Sequence, residues 1–340
     1  MMNSMQDMIK KVPIPLCGVI LATASLGNLL STYSATVHHF CGIFATFLLS
    51  LVLLKAAMFP KMIVKDMQSP IIASASGTFP MSLMVLSTYA VPFIGKDGAY
   101  ILWLCAIALH LTLMVYFTCH FMLKLKIKDV FASYFIVYVG IAVAAVTAPV
   151  HGREDIGAMT LSFGFFALFF LAGLITYRYL KHRDIPQGAR PLFCIYAAPV
   201  SLCLTGYLQS VEKVSTAVVM VLLIVATAVY ALVLSKAIQY LMRLPFYPSY
   251  AGFTFPFVIC PTAASQALAH FESVGYSLVA LKVLVAIEIA VGIAIVSYPI
   301  LRYMRYLFTD IEDELLASGC TEVYFHKLMP HRLCNDGIDD

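Results

Sequence analysis

Ten long apolar runs follow one another along the chain, separated by short polar breaks. They cover 13–33, 37–58, 72–94, 99–123, 130–150, 157–177, 191–210, 215–241, 249–271 and 277–307. A helix needs about 20 apolar residues to cross a bilayer core, and these runs have that length. They are too long and too uniformly apolar to be barrel strands of alternating polarity. The pattern therefore predicts an all-α integral membrane protein with ten transmembrane helices.

The runs form five consecutive pairs, and the first member of each pair is interrupted by glycine or proline. The interruptions read Pro15-Leu16-Cys17-Gly18-Val19, Gly77-Thr78-Phe79-Pro80-Met81, Tyr138-Val139-Gly140-Ile141, Tyr196-Ala197-Ala198-Pro199-Val200 and Phe253-Thr254-Phe255-Pro256-Phe257. Gly18, Pro80, Gly140, Pro199 and Pro256 recur at a period of about 60 residues, the length of one helical hairpin. The second members carry comparatively little proline. Proline inside a helix removes a hydrogen bond and frees a carbonyl, and in lipid each freed polar group costs several kcal/mol. Broken helices must then face protein or water. Five hairpins in quasi-fivefold arrangement, broken odd-numbered helices inside and intact ones around them, would line a central pore.

Composition agrees with a membrane protein. Of 340 residues 61% are hydrophobic and 12% charged, and the mean hydropathy is +0.89. Basic residues favour the cytoplasmic side of a membrane. Lys10 and Lys11 precede the first run, Lys55, Lys61 and Lys65 lie around the second connection, and Lys124, Lys126 and Lys128 follow the fourth run. Arg178, Lys181, Arg183 and Arg190 follow the sixth, and Lys236, Arg243, Arg302 and Arg305 close the eighth and tenth. The alternate connections carry only Lys96, Arg153 and Lys213. Both termini are expected in the cytoplasm, and the membrane is expected to be a plasma membrane, a bacterial inner membrane. The domains are then a cytoplasmic N-terminus over 1–12, a membrane domain over 13–308 and an acidic cytoplasmic tail over 309–340. The net charge of +4 follows from this asymmetry and gives no reason to expect nucleic-acid binding.

Little points to an enzyme, a metal or a cofactor, and none is expected. The nine cysteines form no Cys-x-x-Cys pair and read as small buried residues. Adjacent residues on a helix diverge by roughly 100°, so His38-His39 and Cys119-His120 do not readily share a ligand. The chain has no His-Glu-x-x-His, no phosphate-cradling Gly-x-x-x-x-Gly-Lys and no Gly-x-Ser-x-Gly.

Near the interruptions lie hydroxyls, among them Thr78, Ser201 and Thr254, but no Lys, Arg or carboxylate. Such a lining holds no ion tightly; helix ends would favour an anion weakly, as conduction requires. For any one hydroxyl the competing role is a hydrogen bond to its own helix. Lys282 and Glu288 stand in the last run. Lys282 is near its outer end, where a lysine reaches the interface, and Glu288 is assigned to structure or to a subunit contact, with a proton-coupled role left open. Gln209, Gln266, His110 and His120 are assigned to packing or to hydrogen bonds between helices.

With this plan, the opening Lys-Val-Pro-Ile-Pro-Leu-Cys-Gly-Val-Ile-Leu-Ala of residues 11–22 and the Phe253-Thr254-Phe255-Pro256 motif, the chain resembles the tellurite-resistance/dicarboxylate transporter family. That family includes a bacterial tellurite-resistance protein, yeast malate and sulfite transporters and the slow anion channels of plant guard cells. The resemblance spans about residues 10–308. It implies a homotrimer in which each protomer has a pore passing small inorganic anions or carboxylates, plugged by a phenylalanine of the ninth helix. Phe255 takes that gate position by its place in the motif, and Gly18 matches a glycine at the gate's level. Gly140, where proline is expected, and Cys17, where an aromatic is expected, depart from the family pattern. The alternative the resemblance leaves is a proton-coupled carrier of a C4-dicarboxylate, sulfite or tellurite.

Overall fold

The computed structural model describes residues 2–182 and 184–308. The tail expected over 309–340 lies outside them. The described residues form helices joined by short turns, with no strand among them. In chain order the α-helices are α1 Met2–Lys11, α2 Leu16–Leu30, α3 Ala35–Met58, α4 Pro60–Asp66, α5 Pro70–Ala75, α6 Thr78–Phe117, α7 Tyr134–Tyr138, α8 Val143–His151, α9 Glu154–Lys181, α10 Ala198–Ser210, α11 Thr216–Arg243, α12 Pro256–Ser273 and α13 Val279–Phe308. Short 3-10 stretches, Gly140–Ala142, Gln187–Ala197 and Pro248–Phe253, lead into α8, α10 and α12.

Six helical stretches among the described residues are long and apolar enough to cross a membrane. A seventh is counted if Met5–Lys11 and Leu16–Leu30, bent by 85°, form one span. Ten apolar runs and six such stretches differ for two reasons. The runs 72–94 and 99–123 are joined across Gly95, whose φ of +74° turns the chain without ending the helical assignment. The runs 13–33, 130–150 and 249–271 are cut by their breaks, and no single piece has both the length and the hydropathy of a span.

The breaks fall ahead of the residues that announce them. Pro80 sits in the first turn of α6, with the interruption at Ser76 and Gly77; Pro199 and Pro256 occupy the first two positions of α10 and α12. A helix start needs no N–H at these positions, so proline begins the second half of each broken segment instead of kinking its middle. Gly18 likewise lies in the first turn of α2, behind Pro13 and Pro15. Gly140 opens the 3-10 turn between α7 and α8.

Burial separates two kinds of helix. Every residue of α2 from Leu16 to Ala24 is buried, as is every residue of α12 from Pro256 to Pro261. In Gln187–Ser210, 72% of the most apolar window is buried, against 28% in α11 and 33% in α9 and α13. A helix apolar all round belongs inside, whereas α9 buries a stripe, Gly157, Leu161, Gly164, Leu168, Leu171 and Ile175, and turns Phe163, Phe166, Phe169 and Phe170 outward. The helices that carry the buried segments, α6 through its first part from Thr78 to Ser87, meet in a definite order: α2 packs on α6, α6 on α8, α8 on α10, α10 on α12, and α12 on α2.

Side chains from elsewhere supply hydrogen bonds to carbonyls at or next to the interruptions. Thr254 Oγ1 donates to Gly18 O at 3.1 Å, His110 Nε2 to Val137 O at 2.9 Å, Cys260 Sγ to Ala197 O at 3.2 Å, and Tyr303 OH to Pro248 O. Two cations read as loop charges prove to be internal. Lys55 is 1% exposed in the last turn of α3, donates to Val12 O and lies 3.9 Å from Asp66. Arg178 is 1% exposed in α9, donates to the carbonyls of Lys128 and His182, and pairs with Asp184 at 3.6 Å.

Candidate functional site

A cavity of about 60 Å³ lies where the five interrupted segments meet. Pro15 borders it from the first segment, Ala75, Thr78 and Met81 from the second, and Ile136, Val139 and Gly140 from the third. Ile195, Pro199 and Leu202 come from the fourth, and Ser249, Gly252, Phe255 and Pro256 from the fifth. No Lys, Arg, Asp or Glu borders it. Its two hydroxyls are committed to backbone, Thr78 donating to Ala75 O and Ser249 to Gly188 O.

The starts of α6, α10 and α12 border this space through Thr78, Ala198 and Pro256, and Pro15 caps α2 beside them. Their first N–H groups are taken by tight turns: Leu16 N donates to Pro13 O, Phe79 N to Ser76 O, and Phe257 N to Thr254 O. With those groups bonded and no cation on the wall, any positive potential at the cavity is limited to the partial charge of helix N-termini.

Of the three phenylalanines in the stretch 253–257, Phe255 alone borders the cavity. It is 7% exposed. Phe253 and Phe257 are held by edge-on ring contacts, to Tyr250 at 5.1 Å and to Tyr230 at 5.6 Å. The Pro256 ring fixes the turn directly after Phe255, so its side chain leaves the chain at the point where the 3-10 turn becomes α12.

The structure brings Phe255, Pro256, Pro199, Gly140 and Thr78 to one cavity and leaves the other expected residues behind its wall. Pro80 is buried within α6. Gly18 packs on Ala251, whose Cβ would be 3.1 Å from a methyl placed on the glycine. The hydroxyls of Thr254 and Ser201 do not border the cavity: Thr254 bonds Gly18 O and Ala251 O, and Ser201 bonds Ala197 O and Cys260 Sγ. The reason is local, since a hydroxyl beside a broken turn finds an acceptor within reach before it finds open space. The residues the sequence did not single out are the apolar liners Met81, Ile136, Ile195 and Leu202. They carry no signal in an apolar chain, where a pore wall and a helix contact are written in the same residues.

Outside the cavity, Lys282 Nζ meets Glu272 Oε1 at 2.7 Å, both about half exposed. Glu288 is 2% exposed and its Oε2 has no hydrogen-bond partner. His110 makes its bond to Val137 O through Nε2 while Nδ1 has none, and His120 Nδ1 donates to Tyr116 O at 2.9 Å.

Compared with known proteins, residues 11–298 match the family described as SLAC1, voltage-dependent anion channel. No curated protein matches the chain.

Proposed function

The chain belongs to the voltage-dependent anion channel (SLAC1) family, and from that premise we propose that it passes small anions through a pore of its own, closed near its middle by Phe255. It is a multi-pass membrane protein of an anion channel and transporter family. The observation that carries the finer proposal is the uncharged cavity bordered by all five interrupted segments, with Phe255 in its wall. The packing order α2, α6, α8, α10, α12 and back to α2 supports a quasi-fivefold ring of ten helices, the broken ones innermost. In that ring Phe255 acts as an apolar plug, because a bulky ring in a narrow lumen keeps out water and with it any ion. Converging helix N-termini favour an anion without binding it tightly, which suits conduction. The sites are then Phe255 as gate, Gly18, Pro80, Gly140, Pro199 and Pro256 as the glycines and prolines of the breaks, and Thr78 as a polar liner. Both termini are placed in the cytoplasm, the membrane is the plasma membrane, and three protomers assemble with one pore each.

The test is anion flux from purified protein in liposomes, wild type beside Phe255→Ala, with chloride, nitrate and malate compared. We expect the alanine variant to conduct at least about tenfold more, as removal of a dewetted plug implies. Saturable proton-driven malate uptake in the wild type, with no passive flux from either protein, would make the protein a carrier instead.

A further inference from the structure

Behind the pore wall, between α10, α11, α12 and α13, lies a second, smaller space bordered by Glu288 together with Ser201, Thr227, Tyr230 and Cys260. It has no room for a water molecule. Glu288 and Tyr230 both border it, and Glu288 Oε2 and the Tyr230 hydroxyl are buried with no hydrogen-bond partner. A carboxylate with neither counter-charge nor water is strongly disfavoured at membrane depth, and a protonated acid is not. A cation or a hydrated ion does not fit the space. A proton does.

The groups facing Glu288 bring no compensating charge. From α11 it meets Tyr230, from α12 Cys260, and from α10 Ser201, all uncharged. On α13 itself, Lys282 is engaged with Glu272. The other contacts of α13 lie near its far end, where Tyr303 meets the turn Pro248–Phe253 and Tyr298 meets Tyr250, and where α2 and α1 carry Cys17, Asp7, Lys10 and Lys11; Lys10 is paired with Asp7 there.

The same space is wired to the gate helix. Cys260, one turn and a residue beyond Phe255, donates to Ala197 O and accepts from Ser201, tying α12 to the fourth interrupted segment. Tyr230 holds the Phe257 ring at 5.6 Å. Gly292, one turn after Glu288, sits so close to α12 that an added methyl would lie 2.4 Å from Phe257 O.

We propose that Glu288 is a proton-binding site that is occupied when the pore is closed, and that release of its proton favours the conducting form. The proposal rests on the channel function above. Withdrawing Phe255 moves α12, parts its contact with α13 and lets water reach the carboxyl. There the O–H bond breaks, the proton passes to water and the carboxylate is hydrated. A state in which the charged form is better solvated is populated as pH rises, so acid closes the pore and alkali opens it.

The experiment combines infrared spectroscopy and chloride flux on the full chain in liposomes, from about pH 5 to about pH 9, a range that covers documented buried glutamates. The proteins are wild type, Glu288→Gln and Phe255→Ala. We expect a protonated-carboxyl band in the wild type that Glu288→Gln lacks. Wild-type flux should rise about tenfold or more across the range, one proton giving at most tenfold per pH unit. Glu288→Gln should stay low throughout, and Phe255→Ala high throughout. An ionised Glu288 over the whole range overturns the proposal, as does an undiminished pH response in Glu288→Gln or in Phe255→Ala. If no protein carries flux, the channel function fails on its own account. The proton site is then decided by the band, supported by its presence at neutral pH and overturned by its absence.

Discussion

Thr254 stands beside Phe255, yet its hydroxyl turns away from the cavity to the Gly18 carbonyl, from a residue far distant along the chain. This bond joins the first and last interrupted segments, where α2 meets α12. A net intramolecular hydrogen bond contributes about 1 kcal/mol. Thr254→Val, which keeps the shape and removes the donor, should lower stability by about that amount, and Thr254→Ser should keep most of it. Unfolding in detergent measures both, and a valine variant as stable as wild type would show that the bond contributes nothing. The sequence offered Thr254 and Ser201 as pore hydroxyls because they flank breaks, but each finds a carbonyl of its own segment, Ala251 O and Ala197 O, and then a distant partner, Gly18 O or Cys260 Sγ, that the sequence pattern does not reveal. Phe255 was singled out by its place in the motif that carries the resemblance, and in the structure it borders the cavity while Phe253 and Phe257 pack on tyrosines.

At the level of whole helices, contact distance is set by glycine. Gly292 lets α13 close on α12 at Phe257 O, where the obstacle to a side chain is backbone that cannot rotate away. Gly292→Ala should therefore push the helices apart and cost about 1–3 kcal/mol, the range for overpacking a tight interface. Gly173 on α9 is the control: nothing lies within 4 Å of a methyl there, and alanine should stabilise by up to about 1 kcal/mol through helix propensity. Thermal unfolding of the two variants should shift in opposite directions; an unchanged or raised unfolding temperature for Gly292→Ala would mean that the α12–α13 contact yields freely. Long uninterrupted helices were the most legible part of the fold. The runs 37–58, 157–177, 215–241 and 277–307 became α3, α9, α11 and α13 with ends moved by a few residues. The N-terminal helix α1 and the short α4 were not seen, being too short and too polar for a span pattern. The breaks were seen by their glycines and prolines but placed a few residues late, because proline marks where a half-helix begins.

For the molecule as a whole, orientation is the property that charge placement argues most directly, and burial changes which charges count. Lys55 and Arg178 are enclosed by carbonyls and by Asp66 and Asp184, so they act as parts of the interior at its basic end. Removing them leaves the asymmetry standing: Lys61, Lys65, Lys124, Lys126, Lys128, Lys181 and Arg190 remain in one set of connections, against Lys96, Arg153 and Lys213 in the alternate set, and Lys96, Lys124 and Lys213 are all exposed. The positive-inside bias then still predicts the connections at Lys96 and Lys213 outside and that at Lys124 inside. Single cysteines at these three positions test it, in a background where the exposed Cys105 and Cys119 and the tail residues Cys320 and Cys334 are serine. A membrane-impermeant thiol reagent applied to intact cells should label Lys96→Cys and Lys213→Cys, and should label Lys124→Cys only after the membrane is opened. The span between 96 and 124 must cross once for this to hold, and the region from 124 to 213 an odd number of times. Labelling of all three positions from outside would remove the crossing after Gly95 and with it the proposed ring of ten helices, whereas the reverse pattern would keep that proposal and invert it in the membrane.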